Sequence, residues 1–105
     1  MPRVEFMGKS FTVDESGFID DYENWCEEWV QYIMKEEGIR ELSEEHRKVL
    51  TVIREYYERN GVAPMIRILA KRTGFEREYF WELFPSGPGR GACRMAGLPK
   101  PTGCV

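Results

Sequence analysis

Seven apolar residues, Tyr22, Trp25, Cys26, Trp29, Val30, Ile33 and Met34, recur at i, i+3, i+4, i+7, i+8, i+11 and i+12. That spacing places them on one face of a helix, closed by Gly38. So wide a stripe is stable only against partners, and a chain of 105 residues must supply them within one domain. Candidate partners follow in order. Ser43 can N-cap a second helix whose buried side is Val49, Leu50, Ile53 and Tyr57, ending near Asn60-Gly61. Pro64 suits the first turn of a third helix, roughly 64–73, stopped by Gly74. A fourth short helix, about 76–84, presents Phe80, Leu83 and Phe84. Ahead of the stripe, Val4-Glu5-Phe6 and Phe11-Thr12-Val13 alternate around Met7-Gly8-Lys9-Ser10, the pattern of a hairpin, and Asp14-Glu15-Ser16-Gly17 is turn chemistry. These elements predict a mainly α fold: a small orthogonal helical bundle with an N-terminal β-hairpin and a helix-turn-helix-like portion.

All periodicity stops at Pro85. The 21 residues from 85 to 105 include five glycines and four prolines, a composition that predicts little packed core. One helical turn around Ala92, Met95, Ala96 and Leu98 is the exception, docked on the body. The chain therefore divides into a helical domain, 1–84, and a flexible C-terminal arm, 85–105. On this reading deletion of 86–105 leaves the thermal transition nearly unchanged.

Composition narrows the chemistry. Hydrophobic residues make up 42% and charged residues 31% of the chain, which excludes a disordered acidic chain. No apolar run approaches the ~18 residues of a membrane span, and the first residues lack the apolar stretch of a signal peptide. A cytoplasmic location, where thiols stay reduced, is the expectation. One histidine and three cysteines without a CxxC pair argue against a structural zinc site and leave His46 as the sole imidazole for triad chemistry. His46 follows Ser43-Glu44-Glu45 in the first turn of the second helix and reads as a surface or capping residue. Trp25, Trp29 and Trp81 read as packing residues. The net charge of −3 is polarised: residues 1–60 carry 15 acids and 8 bases, whereas 85–105 carry Arg90, Arg94 and Lys100 and no acid. Such an asymmetry points the tail toward an anionic ligand or an acidic surface.

The cysteines divide by place. Cys26 lies on the stripe of the first helix and reads as a small buried hydrophobe. Cys93 and Cys104 lie in the Gly/Pro tail, with Cys104 penultimate. An exposed thiol in a tail oxidises and crosslinks, so the pair reads as a redox pair or a sulfur carrier on a swinging arm. Eleven peptide steps separate them, or about 36 Å when extended. A disulfide requires Cα atoms about 4.4–6.8 Å apart, and closing that loop costs roughly 3 kcal/mol of chain entropy. Gly97 and Gly103 supply bends, while Pro99 and Pro101 stiffen the outer arm. Arg94 beside Cys93 and Lys100 near Cys104 favour thiolates, whereas the carboxylate of Val105 opposes ionisation at the tip.

Leu83-Phe84-Pro85-Ser86-Gly87-Pro88 and then Ala92-Cys93-Arg94-Met95-Ala96-Gly97-Leu98-Pro99-Lys100-Pro101-Thr102-Gly103-Cys104-Val105 closely resemble the C-terminus of the DsrC family. That family was named as the gamma subunit of dissimilatory sulfite reductase. Arg67-x-Leu69-x-Lys71 and the hairpin-then-helix order are similar as well. Arg90-Gly91 and Arg94-Met95 depart mildly from the family's usual residues. The resemblance implies a protein co-substrate rather than a stand-alone enzyme. Its arm enters the catalytic alpha and beta subunits of sulfite reductase. Cys104 takes a partly reduced sulfur as a persulfide and Cys93 closes a trisulfide. A membrane-bound, heterodisulfide-reductase-like complex then releases sulfide. In sulfur oxidisers the arm runs in reverse, and other sulfurtransferases are further possible partners. Sirohaem and iron–sulfur clusters belong to the partner, and this chain carries no cofactor motif of its own.

Two alternatives belong to other classes. A relay for tRNA thiolation would resemble TusE, which keeps only the penultimate cysteine; Cys93 argues against it. A DNA-binding regulator would use helix–Gly74–helix with Arg67, Lys71, Arg72 and Arg77. Glu76, Glu78 and Glu82 interrupt those bases, a weak footprint for phosphate binding, so DNA is not the expected partner.

Overall fold

A computed structural model of the chain describes residues 2–100. It contains strands β1 (Arg3–Phe6) and β2 (Lys9–Thr12), then helices α1 (Glu27–Glu37), α2 (Glu44–Asn60), α3 (Ile66–Thr73) and α4 (Tyr79–Leu83). A one-turn 3₁₀ segment at Tyr22–Asn24 precedes α1, and a terminal helix of π geometry, Pro88–Cys93, follows α4.

The hairpin is tighter than the expected four-residue turn. Phe6 pairs with Lys9, so only Met7 and Gly8 turn the chain. Both have positive φ, 51° and 79°, the backbone that matches a right-handed strand twist. Phe11 is buried from β2, edge-on to the Trp29 ring with centroids 5.2 Å apart.

The predicted first helix is broken. Asp21 caps the 3₁₀ turn through Glu23 N–H, and the backbone then runs extended through Trp25 and Cys26 before α1 begins at Glu27. Trp29, Val30 and Ile33 keep the stripe and are buried. Cys26 instead becomes the N-cap residue, half-buried at the edge of the core. Its expected place inside the stripe is thus corrected, because its extended backbone, φ −158° and ψ 176°, puts it ahead of the helix and not on the buried helical face. Gly38 closes α1 in the left-handed conformation, as expected.

Ser43 caps α2, which buries Val49, Leu50 and Ile53. His46 completes a reciprocal capping box: its N–H donates to Ser43 Oγ, and Ser43 N–H donates to His46 Nδ1 at 3.1 Å. That leaves the ring proton on Nε2, which donates to the Leu83 carbonyl at 2.8 Å. His46 is therefore a cap, as expected, but a buried one that ties α2 to the end of α4. The α3 and α4 helices, each with Leu69 or Phe80 turned inward, supply the two-helix unit anticipated around Gly74.

The largest departure is at the C-terminus. The docked turn is present, but it is no small addition to the body. Pro88, Gly91, Ala92, Cys93, Met95, Ala96 and Leu98 are all buried, and the last five join the main core. The expectation that residues beyond Pro85 contribute little core is corrected. The glycines that made the segment look loose let it pack closely. A Cβ on Gly91 would lie 2.7 Å from Phe84 Cβ, and one on Gly87 would lie 2.8 Å from Trp81 Nε1. The packed body reaches Leu98, and Pro99 and Lys100 beyond it are exposed.

Candidate functional site

Cys93 sits on the last turn of the terminal helix, and its side chain is fully buried. Burial pushes its thiol up to about 12, because a thiolate loses its hydration in an apolar interior. Arg94 does not offset this, contrary to the sequence expectation. Its guanidinium turns away: Nε donates to the Gly17 carbonyl at 3.0 Å, and Nη2 lies 3.8 Å from Glu36. Adjacency along the chain thus put Arg94 beside Cys93 without putting its charge on the sulfur. Lys100 is exposed. Cys104 falls in 101–105, outside the described residues, as does its relation to Lys100.

The end of this helix is held by two tryptophans that sequence reasoning treated only as packing and by Arg54, which it did not single out. Trp29 Nε1 donates to the Arg94 carbonyl at 2.7 Å, Trp25 Nε1 to the Met95 carbonyl at 2.8 Å, and Arg54 Nη1 to the Ala96 carbonyl at 2.7 Å. Leu98 N–H bonds back to the Cys93 carbonyl and Gly97 N–H to that of Arg94, with Gly97 at φ 81°. This is a Schellman closure, with Cys93 and Leu98 as its buried apolar pair. Every carbonyl from 93 to 96 therefore has a donor, where a helix end normally leaves its last carbonyls to solvent. The available signal was the indole N–H, which seeks an acceptor whenever a tryptophan is buried.

Arg54 lies between two rings. Its guanidinium carbon is 3.9 Å from the Trp25 ring centre and 4.2 Å from that of Tyr22, and burial lowers its pKa. At the helix start, Glu37 accepts from Ser86 N–H at 2.9 Å and from Ser86 Oγ at 2.7 Å. Arg90 reaches the Ser16 carbonyl at 3.1 Å. The site is thus a protonated thiol on a backbone turn pinned from α1, α2 and the 14–17 turn. Among the described residues, no three His, Cys, Asp or Glu side chains converge as a metal site. None of the described helices is long and apolar enough to cross a membrane.

Known proteins are similar to this chain over nearly its whole length. The family model described as "DsrC like protein" matches residues 5–105. The dissimilatory-type sulfite reductase subunit gamma of Nitratidesulfovibrio vulgaris is 56% identical over 105 residues, covering both chains completely. The sulfurtransferase TusE of Salmonella paratyphi A is 38% identical, over 95% of this chain and 97% of its own. A chain in the crystal structure of dissimilatory sulfite reductase I superposes with a TM-score of 0.93 at 56% identity, covering 99% of this chain and 100% of that one. A family model spanning residues 5–105 and a relative 56% identical from end to end lead to one assignment: the chain belongs to the DsrC family.

Proposed function

We propose that this protein is the sulfur carrier of a dissimilatory sulfite reductase, with Cys104 as the sulfur acceptor and Cys93 as the resolving thiol. The observation that carries the reading is a two-cysteine C-terminus on a chain 56% identical, end to end, to a sulfite reductase gamma subunit. The tip enters the catalytic alpha and beta subunits, which supply sirohaem and iron–sulfur chemistry. Sulfur arrives at the S(II) level with two oxygen substituents. Cys104 Sγ displaces one as water, leaving the adduct Cys104 Sγ–S–OH, whose outer sulfur is still two electrons above a persulfide. Cys93 Sγ displaces the second, again as water, and the bridge becomes Cys104–S–Cys93, a trisulfide. The two thiols are oxidised and supply the two electrons that take the incoming sulfur from S(II) to S(0). A membrane-bound reductase of the heterodisulfide type returns sulfide and the dithiol.

The burial of Cys93 suits this order. Burial keeps the Cys93 thiol neutral and silent while the tip is loaded; its attack on the returned tip follows only when that burial is relieved and the thiol ionises. A TusE-like relay would need Cys104 alone and gives Cys93 no task.

The test is intact-mass analysis after turnover with sulfite and purified catalytic subunits. Wild type gains one bridging sulfur and loses two hydrogens, reversibly with reductant. Cys104→Ala gains nothing. Cys93→Ala loads at Cys104 but stalls there as the Sγ–S–OH adduct or, once added thiol reductant removes that hydroxyl, as a persulfide or a mixed disulfide, and Cys26→Ala behaves as wild type. Equal loading of Cys104→Ala and wild type would refute the tip-first mechanism.

A further inference from the structure

We infer that Trp25 and Arg54 form a positioning clamp that sets the direction in which the chain leaves the body after Leu98. The clamp thereby presents the terminal cysteine to its partner; the inference rests on the carrier reading above.

Three observations converge on the clamp. The Met95 and Ala96 carbonyls, the last two before the chain turns away, are held by Trp25 Nε1 and Arg54 Nη1 at 2.8 and 2.7 Å. Gly97, at φ 81°, passes directly over the indole, where an added Cβ would lie 2.8 Å from Trp25 Cγ. The guanidinium carbon lies within 3.9 Å of the Trp25 ring centre and 4.2 Å of the Tyr22 ring centre, and Tyr22 is itself tied to α2 by its hydroxyl donating to Glu58 at 2.8 Å.

Exposure separates this group from the core. Trp29, which holds the neighbouring Arg94 carbonyl, is completely buried and packs the interior. Trp25 and Arg54 are only half-buried, at the rim where the chain exits. What they fix is the path of the backbone at 95–97. Leu98 then precedes Pro99, which restricts Leu98 to extended backbone and locks the φ of the next step. The direction set at Gly97 therefore holds through Pro99. A fixed root reduces the orientations that a docking segment must give up, and this acts on encounter rather than on thiol chemistry.

The experiment measures steady-state sulfur loading with purified catalytic subunits and sulfite, varying the carrier concentration. Trp25→Phe keeps a ring against Gly97 and Arg54 but removes the N–H. Arg54→Met removes the donor and the charge. Arg54→Lys keeps both but loses the stacked plane. The KM for carrier is expected to rise about fivefold in Trp25→Phe, the value of one neutral hydrogen bond. Arg54→Met should raise it further, and Arg54→Lys should recover part of that loss. In all three, kcat and the rate of Cys104 alkylation by iodoacetamide stay within about twofold of wild type, since a fixed direction acts on docking alone. Trp81→Phe, at the exposed indole near Gly87, is the control and leaves KM unchanged.

An unchanged KM in both Trp25→Phe and Arg54→Met overturns the clamp, as does a fall in kcat at constant KM. An altered alkylation rate overturns it too, by making Trp25 an influence on reactivity. If Trp25→Phe does not fold, the two Arg54 variants decide. Failure of the carrier reading has a different signature: Cys104→Ala would then load normally, whereas failure of the clamp alone leaves Cys104→Ala inactive.

Discussion

Deleting residues 86–105 should unfold this protein. Met95 and Leu98 are fully buried, and loss of each side chain of that size costs about 2–5 kcal/mol. Together they come to about 4–10 kcal/mol. The deletion also removes the acceptor of the buried Trp29 N–H, and an orphaned buried donor adds about 1–3 kcal/mol. Domains of this size hold about 5–15 kcal/mol in total, so the loss takes most or all of it. The assay is thermal unfolding followed by far-ultraviolet circular dichroism, comparing the full chain with residues 1–85. The truncated chain should show no cooperative transition near that of the full chain. Leu98→Ala provides the graded counterpart and should lower the midpoint by about 10 °C or more. A cooperative transition of the truncated chain within about 3 °C of the full-length midpoint, well inside the ~4–8 °C expected per kcal/mol, would refute the packing argument.

Two further outcomes follow. The Cys93 thiol is raised from 9.0 to about 12 in the folded state, so its contribution to stability is intact below about pH 9. It is lost progressively as pH rises toward 12, because the unfolded thiol ionises first. Urea unfolding at pH 8 and pH 10.5 should therefore show wild type losing roughly 1–2 kcal/mol more than Cys93→Ala between the two conditions; identical pH dependence would contradict the burial of that thiol. Tyr22, raised to about 12 in both proteins, cancels from the comparison. Arg67, Lys71, Arg72 and Arg77 are exposed among the equally exposed Glu76, Glu78 and Glu82, so duplex DNA should bind weakly at physiological salt. Nanomolar affinity with a steep salt dependence would reverse that expectation.

The course of the first helix shows how periodicity can be right about burial and wrong about backbone. The stripe from Tyr22 to Met34 identified residues that do meet the core. It could not register the extended step at Trp25 and Cys26, because a break that keeps each residue near the same interior leaves the apolar spacing unchanged. His46 shows the reverse case. Ser43 and its spacing to His46 made the cap legible, but the carbonyl that buries the ring, Leu83, lies 37 residues away.

Local patterns by themselves determined the hairpin, the helix stops at Gly38, Gly61 and Gly74, and the placing of two cysteines beyond the last strong stripe. They did so because caps, turns and amphipathic faces are written within a few residues of one another. Only the tertiary structure decided that residues 88–98 belong to the core, that Arg94 serves Gly17 and not Cys93, and that the thiol of Cys93 is held neutral. Glycine carries no pattern of its own; whether it loosens a chain or lets two backbones close together depends on what lies opposite. Here Phe84 and Trp81 lie opposite Gly91 and Gly87 across a bend with no regular period, and Trp25 lies opposite Gly97 from the other end of the chain.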